Sequence, residues 1–400
     1  MRAAPENPAA TATELRIRGA VMRFIKYKRI FAVLLAPIAI VLATLAQHYP
    51  TVTESVYSQG VYPYISGVLS WLFGWFPFSV VEVALLLLII GGTTYIIYMI
   101  TLIINDKRGR GNHMLALIST VLCATSVLYF VFISFCGLNY HRESFAVHSG
   151  LTVRASSTKE LEELCAYLVE ETNALREQVA EDENGVMRLS FTSDYQTAAF
   201  APQAYQNIYG DYPVLEGFNI PRAKPVLLSR GMSHLNLAGV FSPFTFEANV
   251  NVDLPDYSIP SSMLHELAHY KGYMREDEAN FLAYLAGKSC GNPDFAYSSM
   301  MLALIHSSNA LYKADSDAYY AIVAQGLSNG VKRDLAANQA YWREFEGPAA
   351  QVSTTVNNVY LRTNNQKDGV QSYGRMVDLL LAEYRQVWLE SVAEEDIIMN

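Results

Sequence analysis

Residues 261–272 read SSMLHELAHYKG, and the rest of the chain is organised around this stretch. Its pattern predicts one short helix on which His265 and His269 lie one turn apart, on the same face. Two imidazoles placed in this way can bind one metal ion. Glu266 follows the first histidine, so its carboxylate can reach a water molecule on that ion without binding the ion itself. The alternative is a surface helix with two solvated histidines.

The spacing is the H-E-x-x-H pattern, which in zinc peptidases supplies two ligands and a glutamate that acts as the general base. A catalytic zinc takes three protein ligands and keeps one position open for water. Gly272 predicts a sharp turn after the helix, and residues 275–284, REDEANFLAY, predict a second helix. Glu276 and Asn280 would share one face of it. The sequence therefore predicts a Zn²⁺ site that an acidic side chain near residue 276 completes.

The second helix resembles the glutamate helix of the gluzincins, in which E-x-x-x-D or E-x-x-A-D/N provides the third ligand and a polar partner. The resemblance implies that Glu276 is the third ligand, with Glu278 as the alternative. It also implies that Asn280 holds one of the ligand histidines in the correct tautomer. The chain departs from the gluzincin pattern in two respects. Gluzincins more often have aspartate where this chain has Asn280, and the interval between His269 and Glu276 is shorter than in most gluzincins. An acidic cluster also suits any helix N-terminus.

The composition favours a membrane protein and argues against nucleic acid as a partner. Apolar residues make up 51% of the 400 residues and charged residues only 17%, while the formal net charge is -9. Phosphate backbones need a basic surface. The chain has no P-loop and no dinucleotide fingerprint, so no nucleotide is expected. Its four cysteines include no C-x-x-C pair, and whether Cys165 pairs with Cys290 stays open.

Apolar runs of sufficient length predict three transmembrane spans, at about residues 30–46, 80–104 and 114–137. Basic residues are concentrated in residues 1–29 and in the 105–113 loop, whereas residues 47–79 contain no lysine or arginine. The positive-inside rule then predicts a multi-pass protein of the bacterial cell membrane with a cytoplasmic N-terminus and an extracytoplasmic C-terminal domain. Within the membrane domain of residues 30–137, the aromatic segment 61–79 suits the bilayer interface. An additional short span is the alternative.

Residues 138–400 predict one mainly helical α+β domain with a small sheet, of a zincin-like kind. A capping box at Ser157 and Glu160 begins its first helix, which should end near Asn184-Gly185. Residues 246–252 alternate between apolar and polar side chains and predict a strand. In zincins an edge strand binds the extended substrate by β-augmentation. This strand lies in the corresponding sequence position, and the alternative is an ordinary sheet strand with one solvated face.

Further substrate contacts are predicted from polar residues elsewhere in the domain. Tyrosine or histidine can stabilise the oxyanion of the reaction. Asn249 and Asn251, on the predicted strand, are additional candidates for substrate or oxyanion contacts, while Glu247 is more simply a surface charge. The candidate oxyanion donors are Tyr360, Tyr373 and His234.

As a whole the chain resembles an uncharacterised bacterial family of membrane proteins with a C-terminal zincin-like domain. The resemblance covers most of residues 30–390 and implies a zinc peptidase, but it implies no particular substrate. It also marks Ser372 and Tyr373 for testing. The motifs that carry it are residues 137–140 (GLNY), 242–248 (SPFTFEA), 265–269 (HELAH), 276–284 (EDEANFLAY) and 369–374 (GVQSYG).

Two functions remain possible from the sequence. The first is a membrane-anchored zinc metallopeptidase that hydrolyses peptide bonds of cell-envelope proteins or peptides. The second is a catalytically inactive zincin-fold protein that binds or senses a partner, although such a protein would not need Glu266. An intramembrane protease is disfavoured, because the motif follows Asp253 and Asp256 and is distant from every predicted span.

Overall fold

The computed structural model describes residue 29 and residues 31–217, 220–364, 366 and 375–386. These residues form two compact units. The first unit combines the described residues up to His48 with Ala84–Phe135. The second combines Tyr49–Val83 with the described residues from Cys136 onwards.

The first unit contains three apolar helices that are long enough to cross a membrane, which confirms that part of the prediction. They are Phe31–His48, Val80–Asn105 and Arg110–Phe135, of 18, 26 and 26 residues. At 1.5 Å per residue each is close to or longer than the roughly 30 Å of a bilayer core. The third helix begins at Arg110 rather than near residue 114, and the first turn of the second helix is part of the second unit.

The segment between the first two apolar helices is helical throughout most of its length. It consists of a short α-helix Pro50–Val52, a π-helix Thr53–Val61 and an α-helix Tyr62–Gly74, which we call the aromatic helix. The prediction for residues 30–137 included this segment in the membrane domain. In the structure it belongs to the second unit, because residues such as Glu54, Tyr62 and Ser66 are buried there.

The rest of the second unit is mainly helical, as predicted. Two helices carry the H-E-x-x-H motif and the acidic cluster: Ile259–Tyr270, called the metal helix, and Glu276–Lys288, called the glutamate helix. The other helices are Phe145–Ser149, Thr158–Arg176, Asp194–Asn207, Ser229–His234, Pro293–Ala314, Ser316–Tyr319, the π-helix Tyr320–Ala324, Asn329–Glu344, Pro348–Thr363 and a helix over residues 376–386. Short 3₁₀ helices cover Gly137–His141, Pro213–Leu215 and Asp256–Ser258.

Two small sheets accompany these helices. Strands β1 (Ala180–Glu181) and β2 (Met187–Arg188) pair antiparallel. The Asn184-Gly185 turn lies between them, and the preceding helix already ends at Arg176. The hairpin contradicts the prediction that this helix continues to Asn184-Gly185.

The second sheet contains β3 (Lys224–Pro225), β4 (Gly239–Ser242) and β5 (Glu247–Val250) in the order β3-β5-β4. Strand β5 pairs with β3 in parallel and with β4 antiparallel, so it lies in the middle of the sheet. The prediction that residues 246–252 form the edge strand beside the substrate is therefore wrong. The preceding strand β4 takes the edge position.

The metal helix packs in the core of the second unit. Its apolar side chains Met263, Leu264 and Leu267 are completely buried, and the helix contacts β4, β5, the glutamate helix and helix Pro293–Ala314. It ends at a left-handed glycine, Gly272, whose φ is +85°. The amide of Tyr273 then bonds to the carbonyl of Ala268, a pattern that closes helix C-termini and reverses the chain.

Candidate metal centre

The two histidines of the metal helix have one ring nitrogen engaged and the other directed at a common point. Nδ1 of His265 lies 2.7 Å from Oδ1 of Asn280, and Nδ1 of His269 lies 2.8 Å from the carbonyl oxygen of Tyr273. Since both partners are acceptors, each Nδ1 carries a proton, and Nε2 is the ring nitrogen that remains to bind a metal ion once it is deprotonated. This tautomer leaves Nε2 as the ligand atom in both rings.

The carboxylate of Glu276 lies between these two Nε2 atoms. Its oxygens are 3.1 Å from Nε2 of His265 and 3.8 Å from Nε2 of His269. Two ligands bound tetrahedrally to zinc at about 2.0–2.1 Å are roughly 3.3 Å apart. His265, His269 and Glu276 form the group within the described residues whose potential ligand atoms all lie within 4.8 Å of one another. The three donors therefore fit a zinc ion.

The charges of this group influence one another strongly. Burial lowers the pKa of His265, but the hydrogen bond and negative charge of Glu276 outweigh it and raise this pKa to about 9. Burial dominates at His269 and lowers its pKa to about 4. In the absence of a metal ion, the Glu276 carboxylate therefore keeps a proton on His265, and a bound metal cation would replace that proton.

Glu266 lies beside the group with one oxygen unsatisfied. It is only 5% exposed, and its Oε2 has no hydrogen-bond partner. The amide of Phe241, on β4, donates a hydrogen bond to the same carboxylate, while burial raises the pKa of Glu266 to about 8. A side chain at Gly239 would overlap the carboxylate. An orphaned buried carboxylate oxygen next to three metal donors is the arrangement expected for a general base that acts on water.

The short turn between His269 and Glu276 is supported by residues distant in sequence. A Cβ atom on Gly272 would lie 3.0 Å from Nδ2 of Asn139 and 3.1 Å from Cε1 of Tyr62. The hydroxyl of Tyr62 is 3.1 Å from the carbonyl oxygen of His269, at the end of the metal helix. Arg142 stacks on the ring of Tyr273 at 4.0 Å. The turn is thus enclosed rather than exposed.

A buried ion pair with Glu54 holds Arg142 in place beside the turn. Two guanidinium nitrogens of Arg142 donate to the Glu54 carboxylate at 2.6 and 2.8 Å. Burial raises the pKa of Glu54, but Arg142 outweighs this effect and leaves the pKa below its ordinary value. Glu54 precedes the aromatic helix and Arg142 follows the third apolar helix, so both chain segments contribute to the metal centre.

The metal group opens into a cavity of about 560 Å³. The wall formed by β4 contributes Gly239, Val240 and Phe241. Helix Pro348–Thr363 forms another wall with Ser353, Thr354, Asn357 and Tyr360. Apart from the metal group and Glu266, the described residues that line this cavity include no lysine, arginine, aspartate or glutamate. The cavity is therefore suited to an uncharged segment of substrate.

Of the other predicted site residues, Asn280 and Tyr360 lie at the metal centre or its cavity, whereas Glu278 does not. Asn280 contacts His265, and Tyr360 lines the cavity, with its hydroxyl 2.7 Å from that of Tyr140. Glu278, the alternative third ligand, instead accepts hydrogen bonds from Arg275 and from the amide of Phe145. That carboxylate therefore lies outside the metal group.

Three other predicted contacts are not among the described residues that line the cavity. Asn249 and Asn251 are buried in the sheet, where their side-chain amides donate to the carbonyl oxygens of Val240 and Leu237. The ring of His234 packs against Phe345. Tyr373 and Ser372 lie outside the described residues.

Glu247 is buried, not a surface charge as predicted. It is 3% exposed, and its oxygens accept hydrogen bonds from the amides of Val80 and Val81, both at 2.9 Å. The ammonium group of Lys224 lies 3.7 Å away. Glu247 thus stabilises the first turn of a helix, where a negative charge is favourable.

Two residues of the cavity wall were missed by the sequence analysis. Tyr140 belongs to the GLNY motif but had been assigned no role. His306, on helix Pro293–Ala314, lines the cavity, and burial together with the charge of His265 lowers its pKa to about 4. A single histidine within an apolar helix carries no local signal of function. All four cysteines are free thiols, so Cys165 and Cys290 do not pair.

Comparison with known proteins gives a family but no function. The family model described as "Protein of unknown function (DUF3810)" matches residues 57–381, which is well over half of the chain. The match begins within the π-helix before the aromatic helix and includes the whole metal group. Comparisons with curated proteins and with solved structures gave no match.

Proposed function

The chain belongs to this family of proteins of unknown function, and from the geometry of its metal centre we propose that it is a membrane-anchored zinc metallopeptidase with a gluzincin-type zincin domain. It would hydrolyse peptide bonds of cell-envelope proteins or peptides. The distribution of basic residues supports a multi-pass topology with the N-terminus in the cytoplasm and the metal centre outside. Three apolar helices support the membrane anchor.

One observation carries the proposal. The Nε2 atoms of His265 and His269 converge on the Glu276 carboxylate, beside the unsatisfied oxygen of Glu266. A protein that only bound a partner would need neither this glutamate nor the open cavity in front of it. The same arrangement disfavours the inactive, sensing alternative.

The residues divide the reaction between them. His265, His269 and Glu276 would hold Zn²⁺, which supplies Lewis-acid chemistry and lowers the pKa of water. Glu266 accepts the proton of the attacking water on its free oxygen and later delivers it to the leaving amine. Burial and the Phe241 amide hold this carboxylate in one orientation. Asn280 keeps His265 in the tautomer that the site requires.

Substrate binding is best supported at β4. This strand is at the edge of its sheet and lines the cavity. An extended peptide can therefore add to it as a further strand, with its backbone beside Glu266. Tyr360 and His306 line other walls of the cavity and can donate a hydrogen bond to the oxyanion.

The test uses the full-length chain in detergent or nanodiscs. The protein is stripped of metal and reloaded with Zn²⁺, and wild type is compared with Glu266→Gln on a peptide library. We expect one zinc per chain in both proteins, cleavage by wild type, and a loss of at least about 10²-fold in the variant. Failure of wild type to bind zinc refutes the metal centre. Zinc binding by both proteins without any cleavage supports the sensing alternative instead.

Blocked peptides add a second comparison. Apart from the metal group and Glu266, the described residues that line the cavity offer no counter-charge for a free peptide terminus. Peptides with acetylated N-termini and amidated C-termini should therefore be cleaved as well as unblocked ones, as expected for an endopeptidase. A requirement for either free terminus would contradict cleavage as an endopeptidase.

A fusion protein tests the topology. A reporter that works only outside the cytoplasm, fused after residue 386, should be active.

A further inference from the structure

The aromatic helix Tyr62–Gly74 has two faces of opposite character. At about 100° per residue, Tyr62, Ser66 and Ser70 lie on one side of the helix and Tyr64, Val68, Trp71 and Trp75 on the other. The first set faces the second unit: Tyr62 is 2% exposed and Ser66 is 4% exposed. The second set points away from it, with exposures of 67% for Tyr64, 64% for Val68, 67% for Trp71 and 75% for Trp75.

This distribution is the reverse of that in an ordinary surface helix. Such a helix buries its apolar side and exposes its polar side, whereas here two serines face inwards and two tryptophans face outwards. A contiguous set of exposed large apolar side chains marks a surface that another medium covers. Tryptophan and tyrosine are the side chains enriched at the boundary between lipid and water, because each combines an apolar ring with a polar group.

The connectivity of the chain identifies that medium. Tyr49 directly follows the apolar helix that ends at His48, and Trp75 lies five residues before the apolar helix that begins at Val80. Both ends of this segment are therefore joined to helices of membrane-spanning length. Residues 47–79 contain no lysine or arginine. The attraction to a bilayer would come from aromatic side chains and not from anionic lipid.

We propose that the aromatic helix lies in the headgroup region of a lipid bilayer, with Tyr64, Val68, Trp71 and Trp75 towards the lipid. Docking of this surface to lipid is independent of the proposed peptidase activity. It also fixes where such an activity would operate. The inner face of the same helix is bonded to the end of the metal helix, so the cavity lies close to the membrane surface.

Three hydrogen-bond contacts make this connection. The hydroxyl of Tyr62 is 3.1 Å from the carbonyl oxygens of both His269 and Tyr270. The hydroxyls of Ser70 and Tyr270 are 3.0 Å apart. Tyr62 therefore acts as a positioning residue for the metal helix, whereas Tyr64 is 67% exposed on the other face of the aromatic helix. The proximity favours membrane-proximal segments of proteins or peptides as substrates.

Tryptophan fluorescence of the full-length chain in nanodiscs tests the docking. The chain has four tryptophans, so a W342F/W388F variant reports only on Trp71 and Trp75, and a W71F/W75F/W388F variant reports only on Trp342. Lipids brominated at shallow acyl positions should quench the first variant at least about twofold more strongly than the second. Anionic lipid should leave this ratio unchanged. Equal quenching of both variants overturns the proposal.

Aqueous iodide identifies what else covers the surface. Strong quenching of the first variant by iodide means that the two tryptophans lie in water. Protection from both iodide and brominated lipid means that a protein covers them, for example a second copy of the chain. Either result overturns docking to lipid.

A pair of conservative variants tests the link to the metal centre. Tyr62→Phe removes the hydroxyl from the inner face and should weaken zinc binding about fivefold, since one net hydrogen bond is worth about 1 kcal/mol. Tyr64→Phe, on the outer face, should leave zinc affinity unchanged. Zinc affinity is measured by competition with a chelator and needs no enzymatic activity. Equal zinc affinity in the two variants refutes the link.

Discussion

The turn at Gly272 provides the most specific test of how the metal centre is assembled. Substituting alanine adds one methyl group at a φ of +85°, which costs about 1–2 kcal/mol for a residue with a side chain. The new Cβ would also lie 3.0–3.3 Å from atoms of Asn139, Tyr62 and Arg142. These contacts come from two separate chain segments, residues 139–142 and the start of the aromatic helix, and both are packed in place. We expect a total destabilisation of about 2–4 kcal/mol.

Gly291 provides a matched control. Its φ is +73°, yet a Cβ atom there would have no neighbour within 4 Å. Gly291→Ala therefore carries the backbone strain without the crowding and should cost only about 1–2 kcal/mol.

The assay measures zinc affinity by chelator competition and thermal unfolding of both variants in the same detergent. Gly272→Ala should lower zinc affinity by roughly one order of magnitude or more, because part of its cost displaces His269 relative to Glu276. Gly291→Ala should reduce stability but not zinc affinity. The reasoning is refuted if the two variants lose stability equally, or if Gly272→Ala binds zinc as wild type does.

Two further predictions concern carboxylates. Glu276→Gln should weaken zinc binding at least about tenfold, while Glu278→Gln should mainly reduce thermal stability; equal zinc affinities would exclude Glu276 as a ligand. The pKa of Glu54 is lowered in the folded state. Ionised Glu54 therefore stabilises the fold at pH values above its unfolded pKa of about 4.3, and this stabilisation is lost as the pH falls through its pKa in the folded protein. Thermal midpoints of wild type and Glu54→Gln should therefore differ at pH 7 and converge on acidification, and a difference that is constant with pH would contradict this assignment.

Local sequence signals predicted the elements that carry the metal donors. The capping box at Ser157 and Glu160 is present as predicted. The helix predicted from residues 275–284 is observed as Glu276–Lys288. Such features depend on interactions within a few residues, and these are visible in the sequence.

Local sequence signals do not predict the order of the strands in the sheet. An alternating pattern shows that residues 246–252 form a strand, but it does not reveal which strands pair with it. Only the fold places β5 in the middle and β4 at the edge beside Glu266. The burial of Glu247 has the same origin, because its partners at Val80 and Val81 are more than 160 residues away in sequence.

The sequence by itself determined the residues of the candidate metal centre: two histidines one turn apart, a glutamate between them and an acidic helix after a glycine turn. It also determined three apolar helices, because length and hydropathy are local properties. Only the tertiary structure decided that Glu276 rather than Glu278 faces the histidines, and that Glu54, Tyr62 and Arg142 enclose the turn between them. The reason is physical. A short turn can return a ligand to a metal site only if distant segments fix its direction, and such contacts leave no periodic trace in the sequence.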